Sequence, residues 1–326
     1  MSTGSGGTAT HAPASTRVRE RLLDLGYAGG WRVVRALPSA LAQGLFRRGA
    51  DWAAGRDGRA TRQLRRNLAR VRPSASAEEL DDLVRAGLRS YARYWCEAFR
   101  LPSMDLDALR ATVGPRIEGL EHVEAALAAG RGMIVALPHS GNWDVAGVWL
   151  AGRCGGFTTV AERLRPESLY RRFVAYRELL GFEILPLTGG PEPVADVLAR
   201  RLRAGGAVCL VADRDLSAGG VRVDFFGERA KMPIGPAKLA ERTGAALLPA
   251  GLWFTDDGWG FRVHPPVVAP SVRAATQAVA DAFAVDIAQH PADWHMLQPL
   301  WLADLPARRA AQDRAAQDRS AKERIE

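Results

Sequence analysis

From Val18 to Val71 the apolar positions fall at helical spacing in short sets: Val18, Leu22 and Leu25, then Val34, Leu37, Leu41 and Leu45, then Leu64, Leu68 and Val71. Gly26, Gly29, Gly30 and Pro38 interrupt them, so the pattern predicts several short helices. Ser76 with Glu79 three residues on makes a capping box. It opens a longer amphipathic helix with Leu80, Leu83, Leu88, Tyr91, Trp95 and Phe99 on its apolar face. Beyond residue 116 the pattern changes. Short apolar runs at 117–120, 133–137, 157–160, 183–186, 208–212 and 246–251 read as strands. Helical segments at 121–129, 166–180, 193–202, 236–243 and 271–289 separate most of them, and another follows residue 142. This alternation predicts an α/β fold with a mostly parallel central sheet flanked by helices. It also predicts four segments: a disordered start (1–16), a basic helical region (17–110), an α/β domain (111–305) and a charged tail (306–326).

Composition sharpens this picture in a few places. The chain has 326 residues, enough for one large core, and carries a net charge of +8. That charge points to an anionic partner. Nearly all of it is Arg, and the only lysines are Lys231, Lys238 and Lys322. In residues 17–72, Trp31, Phe46 and Trp52 are interleaved with Arg32, Arg35, Arg47 and Arg48, and Arg59, Arg62, Arg65, Arg66, Arg70 and Arg72 form the densest cluster. Two readings stay open and can hold together: an interfacial surface for anionic lipid, or apolar faces on the core with solvated arginines. No nucleic-acid motif accompanies the cluster. No apolar run approaches the ~20 residues of a membrane span, so action on lipid would be peripheral. Cys96, Cys154 and Cys209 show neither metal-ligand spacing nor a disulfide framework.

The chemistry concentrates in GMIVALPHSGNWDVAGVWL, residues 132–150. The run Met133–Leu137 ends at Pro138, and Asn142 is placed to cap the helix that follows. His139 therefore sits where a strand leaves the sheet, the edge where open α/β sheets bind ligands. Asp144 lies in the first helical turn, and a fold-back there would bring its carboxylate to the imidazole. A carboxylate on one ring nitrogen frees the other to take a proton. The plain alternative is a satisfied polar His and an Asp serving the helix dipole. Asp213-Arg214-Asp215 follows the 208–212 run, on the same edge if the strands are parallel. It reads either as a second acid for His139 or as a turn with a local Arg–Asp pair. His295 is a weaker catalytic candidate. Cys154 and Cys209 lack an activating motif. No GxSxG, P-loop or dinucleotide fingerprint is present.

HSGNWD (139–144) resembles the His-x4-Asp signature of glycerolipid-type acyltransferases. More narrowly, the chain resembles the bacterial branch of lipid A and phosphatidylinositol mannoside acyltransferases, and the NWD ending is closer to the mannoside enzymes. FFG, the MPxGP turn and TGAxxxP within 221–249, and ADWHMLQPLW at 292–301, resemble later blocks of that branch. The resemblance implies a peripheral acyltransferase on the cytoplasmic face of the bacterial plasma membrane. It would move palmitoyl from acyl-CoA, a co-substrate, to the mannose 6-hydroxyl of a phosphatidylinositol mannoside, with no other cofactor and no metal. His139 would be the general base, with Asp144, Asp213 or both behind it. The family's acid in the 213 segment is typically Glu, so Asp213 is a shorter equivalent. Glu162 and Arg177 match a pair lining the sugar pocket, and Asn142 and Arg214 join them as substrate-binding residues. Backbone N–H groups in the turn after His139 would receive the oxyanion. The implied partners are anionic membrane lipid, glycolipid acceptor and acyl-CoA, with no nucleic acid and no dedicated protein. Alternatives are the same chemistry on a lipid A precursor, another glycolipid or a glycerol phosphate, or a noncatalytic lipid- or nucleic-acid-binding protein. Trp294 and Trp301 read first as core anchors.

Overall fold

The computed structural model describes residue 26 and residues 29–163, 167–215 and 219–305. The readings made for 1–16, for the Val18 set and for the tail lie outside these residues. After a helical stretch at 29–36, the elements are α1 (Ser39–Gly55), α2 (Arg59–Val71), α3 (Ala77–Arg100), α4 (Leu106–Val113), β1 (Ile117–Glu118) and α5 (Leu120–Ala129). Then come β2 (Met133–Leu137), α6 (Trp143–Cys154), β3 (Phe157–Ala161), α7 (Glu167–Glu178), β4 (Phe182–Pro186), α8 (Val194–Arg203) and β5 (Ala207–Val211). The chain continues through β6 (Val221–Phe225), β7 (Glu228–Met232), α9 (Gly235–Thr243), β8 (Ala246–Thr255), β9 (Gly258–Val263) and α10 (Val272–Gln289).

Seven strands form one sheet in the order β1-β9-β8-β2-β5-β3-β4. Every neighbouring pair in it is parallel except β8 with β9. The sheet is flanked by helices, as the alternation predicts. Three strands were not anticipated: β9, and the two-stranded hairpin β6–β7. The hairpin carries Arg222, Asp224, Glu228, Arg229 and Lys231, and β9 has Gly258, Gly260 and Arg262, so all three lack the apolar run that marks a buried strand.

β2 is buried along its whole length. Its side chains alternate between two cores. Ile134 and Ala136 join Leu198, Leu202, Leu239, Val279 and Phe283 from α8, α9 and α10. Met133, Val135 and Leu137 join Leu109, Val123, Val145 and Val148 from α4, α5 and α6. A third cluster, Ala50, Leu64, Leu68, Val84 and Leu88, binds α1, α2 and α3 together. The capping box of α3 forms in full: Ser76 Oγ accepts from Glu79 N and Glu79 Oε2 accepts from Ser76 N.

The basic N-terminal region is packed on the core in part and exposed in part. Trp31 turns inward onto Phe99, Phe173 and Tyr176, with ring centroids 5.2–5.6 Å apart. Its indole N–H donates to Phe99 O. Leu41, Leu45 and Trp52, spaced along one side of α1, are instead exposed, as is Val33. Arg32, Arg47, Arg48 and Arg56 are exposed beside them. No helix among the described residues is long and apolar enough to cross a membrane.

Candidate active site

Two adjacent parallel strands build the centre of the site. β2 and β5 run in register, with Leu137 opposite Val211, and Ala212 N donates to Leu137 O just beyond. Two residues past each paired position stand His139 and Asp213. They are thus neighbours across the carboxyl edge of the sheet, although 74 positions separate them in sequence. His139 Nδ1 lies 2.6 Å from Asp213 Oδ1, and His139 N donates to Asp213 Oδ2 at 2.9 Å. Trp294 Nε1 donates to the same Oδ2 at 3.0 Å. The shorter Asp side chain reaches because the strand register has already brought the backbones together.

Asp213 has no exposed surface. Burial alone works to raise its pKa. The charge of His139 and the hydrogen bonds from His139 and Trp294 outweigh it and hold the carboxyl below its ordinary value. An ionised Asp213 accepts a proton-bearing Nδ1, which fixes the tautomer and leaves Nε2 as the lone pair. The His139 side chain is about one-third exposed and lines a cavity of about 1210 Å³. The polar part of its lining includes Glu162, Arg177, Arg214 and His295, and the rings of Tyr94 and Trp143 line it too. Its apolar part is walled by Val160, Ile184, Val194, Leu198, Leu210 and Leu239.

Asp144 does not meet the imidazole. It is buried in the first turn of α6, where Arg177 Nε donates to Oδ1 at 2.9 Å and Tyr94 Oη donates to Oδ2 at 3.1 Å. The fold-back expected of Asp144 is therefore corrected: the helix aims it at α7 and α3, away from the strand end. Burial opposes the charge on Arg177, but Asp144 more than compensates and its pKa is raised. Tyr94 is pushed well above the ordinary phenol value by burial and by Asp144, so it stays a donor. Arg177 and Glu162 both line the cavity. They are not bonded to each other: Arg177 is committed to Asp144, and Glu162 is exposed with no ion pair among the described residues.

Asn142 does cap α6, its Oδ1 accepting from Val145 N at 3.1 Å. Its Nδ2 donates to Glu97 at 2.7 Å, and the residue is fully buried. Assigning it to substrate binding is corrected on that ground: both ends of the side chain are used inside the protein. Glu97 also accepts from Trp259 Nε1 and Arg93 Nε, so it fastens the cap to α3 and β9. In the turn after His139, three backbone donors are already used inside the protein. His139 N is on Asp213, Ser140 N on Pro138 O and Gly141 N on Asp293 O. Gly141 has φ +54°, and a Cβ there would come within 2.8 Å of Leu252 C and Trp253 N, so this turn needs its glycine.

His295 lies on the same wall, and burial followed by the charge of His139 lowers its pKa to about 3. It is neutral, with Nε2 on Ser90 Oγ at 2.9 Å. Burial, with Asp144 adding, pushes the Cys209 thiol up to about 12, and burial raises Cys154. Neither is a thiolate nucleophile at neutral pH. Sequence reasoning passed over Tyr94, Glu97 and the indole of Trp294. Tyr94 and Glu97 flank the apolar stripe of α3, where Glu97 with Arg93 four residues before it looks like a solvated pair.

A family model for bacterial lipid A biosynthesis acyltransferases matches residues 10–303. The chain belongs to that family. It is 59% identical over 296 residues to the phosphatidylinositol mannoside acyltransferase of Mycolicibacterium smegmatis, covering 90% of this chain and 95% of the relative. It is 57% identical over 293 residues to the enzyme of the same name from Mycobacterium tuberculosis, covering 89% and 92%.

Proposed function

We propose that this acyltransferase moves a palmitoyl chain from acyl-CoA to the mannose 6-hydroxyl of a phosphatidylinositol mannoside. The names of the mycobacterial relatives support the acceptor. The observation that carries the chemistry is His139, lining the cavity with Nδ1 held by a buried, ionised Asp213. Nε2 takes the hydroxyl proton as the acceptor oxygen attacks the thioester carbonyl. A C–O bond forms and the C–S bond breaks. The imidazolium returns the proton to the leaving sulfur, giving free CoA. Asp213 stabilises the imidazolium throughout and keeps its charge. Asp144 acts one step away, by holding the guanidinium of Arg177 against the cavity where the sugar would sit.

The cavity suits both substrates. Its 1210 Å³ exceeds the ~300–1,000 Å³ of ordinary small-ligand sites, as a long chain plus a sugar requires. The apolar wall would take the chain. Arg214 and Lys238 line the cavity and would meet CoA phosphates. The exposed Val33, Leu41, Leu45 and Trp52, with arginines around them, suit shallow insertion into an anionic leaflet on the cytoplasmic side.

The test is CoA release from palmitoyl-CoA, with phosphatidylinositol mannoside vesicles present or absent, in wild type and H139A. Release that depends on acceptor and disappears in H139A is the expected result. Equal release by both proteins overturns the role of His139. Release stimulated by a lipid A precursor but not by the mannoside overturns the acceptor.

A further inference from the structure

We propose that Trp294 is a positioning residue for the His139–Asp213 pair, its indole N–H fixing the carboxylate that orients the imidazole. This rests on the reading of His139 as general base. Among the described residues Asp213 has three hydrogen-bond donors, and two of them, Nδ1 and the backbone N–H, belong to His139 itself. The third is Trp294 Nε1 at 3.0 Å. It alone fixes the carboxylate independently of the group that the carboxylate must orient.

The backbone around Trp294 serves the same end. His295 N donates to His139 O at 2.7 Å, Gly141 N donates to Asp293 O at 2.9 Å, and Ser140 and Trp294 form a bridge between these bonds. Residues 293–295 are thus zipped along 139–141, and the indole reaches from that zipper to Asp213. The ring has no freedom to leave. It is fully buried, with Phe225 at 6.0 Å and Trp301 at 5.9 Å, both near edge-on.

The chemical consequence follows from the donor type. An indole N–H donates and does not accept or ionise near neutral pH. On Oδ2 it draws charge from the carboxylate and weakens its pull on the imidazole proton. Without it, Asp213 holds more charge and the His139 imidazolium is more stable.

The test compares W294F with W301F. Trp301 is an equally buried indole that donates to Phe225 O, so W301F removes a similar bond away from the carboxylate. W294F is expected to lower kcat about tenfold, the scale of one hydrogen bond to a charged group. It should leave KM for palmitoyl-CoA unchanged and move the acidic limb of the pH–rate profile up by about half a unit. W301F should leave that limb in place. Proton NMR gives a readout independent of turnover: the low-field Nδ1–H resonance of His139, absent from H139A, should move in W294F and stay in W301F. Should W294F unfold, 3-benzothienylalanine at position 294 keeps the bicycle without the N–H and replaces it in both measurements. An unmoved limb and resonance with H139A inactive overturns the proposal for Trp294. A fully active H139A overturns the general-base reading beneath it instead.

Discussion

Asp144 and Asp213 are both buried carboxylates close to one cavity wall, and their partners differ. Asp213 follows a strand, meets a ring that is one-third exposed, and is held by two N–H groups of His139 and one indole. Asp144 opens a helix and meets a guanidinium and a phenol, both in fixed charge states. The first arrangement can gain and lose a proton at its partner. The second cannot, and can only hold shape and charge. The linear motif names the second acid, whereas the sheet register supplies the first.

The largest test of this contrast is D213N. An amide at 213 keeps the packing but removes the charge that selects the Nδ1–H tautomer. Turnover should fall by ~10³–10⁴, the scale for removing a carboxylate behind a catalytic His. D144N should fall less in kcat and raise KM for the glycolipid acceptor, because it frees Arg177. Equal kcat losses with unchanged acceptor KM would erase the distinction between the two acids.

D144N should in turn dominate in stability. Removing one partner of a buried ion pair typically costs about 3–5 kcal/mol. The guanidinium of Arg177 would be left facing only Tyr94 and the cavity. Thermal unfolding measured for D144N, R177L and the double variant should show strong coupling, with the double variant less damaged than the sum of the singles. Additive losses would show that Asp144 and Arg177 do not act as a pair.

Much of this was legible before the structure. The run 133–137 had turn residues on both sides, and β2 spans the same residues. The position of His139 at a strand end, and that of Asp213 at another, followed from runs of that kind. Which acid meets His139 did not follow, because register between strands far apart in sequence is a tertiary fact. β6 and β7 were missed because a half-exposed hairpin carries charges where a buried strand carries Val and Leu, and β9 because Gly258, Gly260 and Arg262 break up its apolar run. Asn142 was read both as a cap and as a substrate contact. Only the burial of its amide on Glu97 separates the two roles.

His295 sharpens the comparison through pH. Its folded pKa of about 3 lies below the unfolded value of about 6.5, so the native state refuses a proton that the unfolded chain accepts. Stability from this residue is full above pH 6.5 and declines as pH falls toward 3. The loss should reach roughly 3 kcal/mol by pH 4. Denaturant midpoints measured from pH 7 to pH 4 should fall steeply in wild type and less in H295N. Parallel curves would mean that His295 is not a buried neutral group.

The smallest expected effect concerns the base of α6, on which Asp144 rides. Glu97 accepts from Asn142, Trp259 and Arg93. W259F deletes one of three donors and leaves a charged acceptor with the other two. The loss should be about 1.5 kcal/mol of stability, within the range for a hydrogen bond to a charged group. Because the indole is linked to the cap of α6 through Glu97 and not to the strand end, any kinetic change should appear in acceptor KM, along with Arg177, and not in the pH profile. A shift of the acidic limb in W259F, measured beside W294F, would show that the helix-borne acid and the strand-borne acid are one electrostatic unit after all.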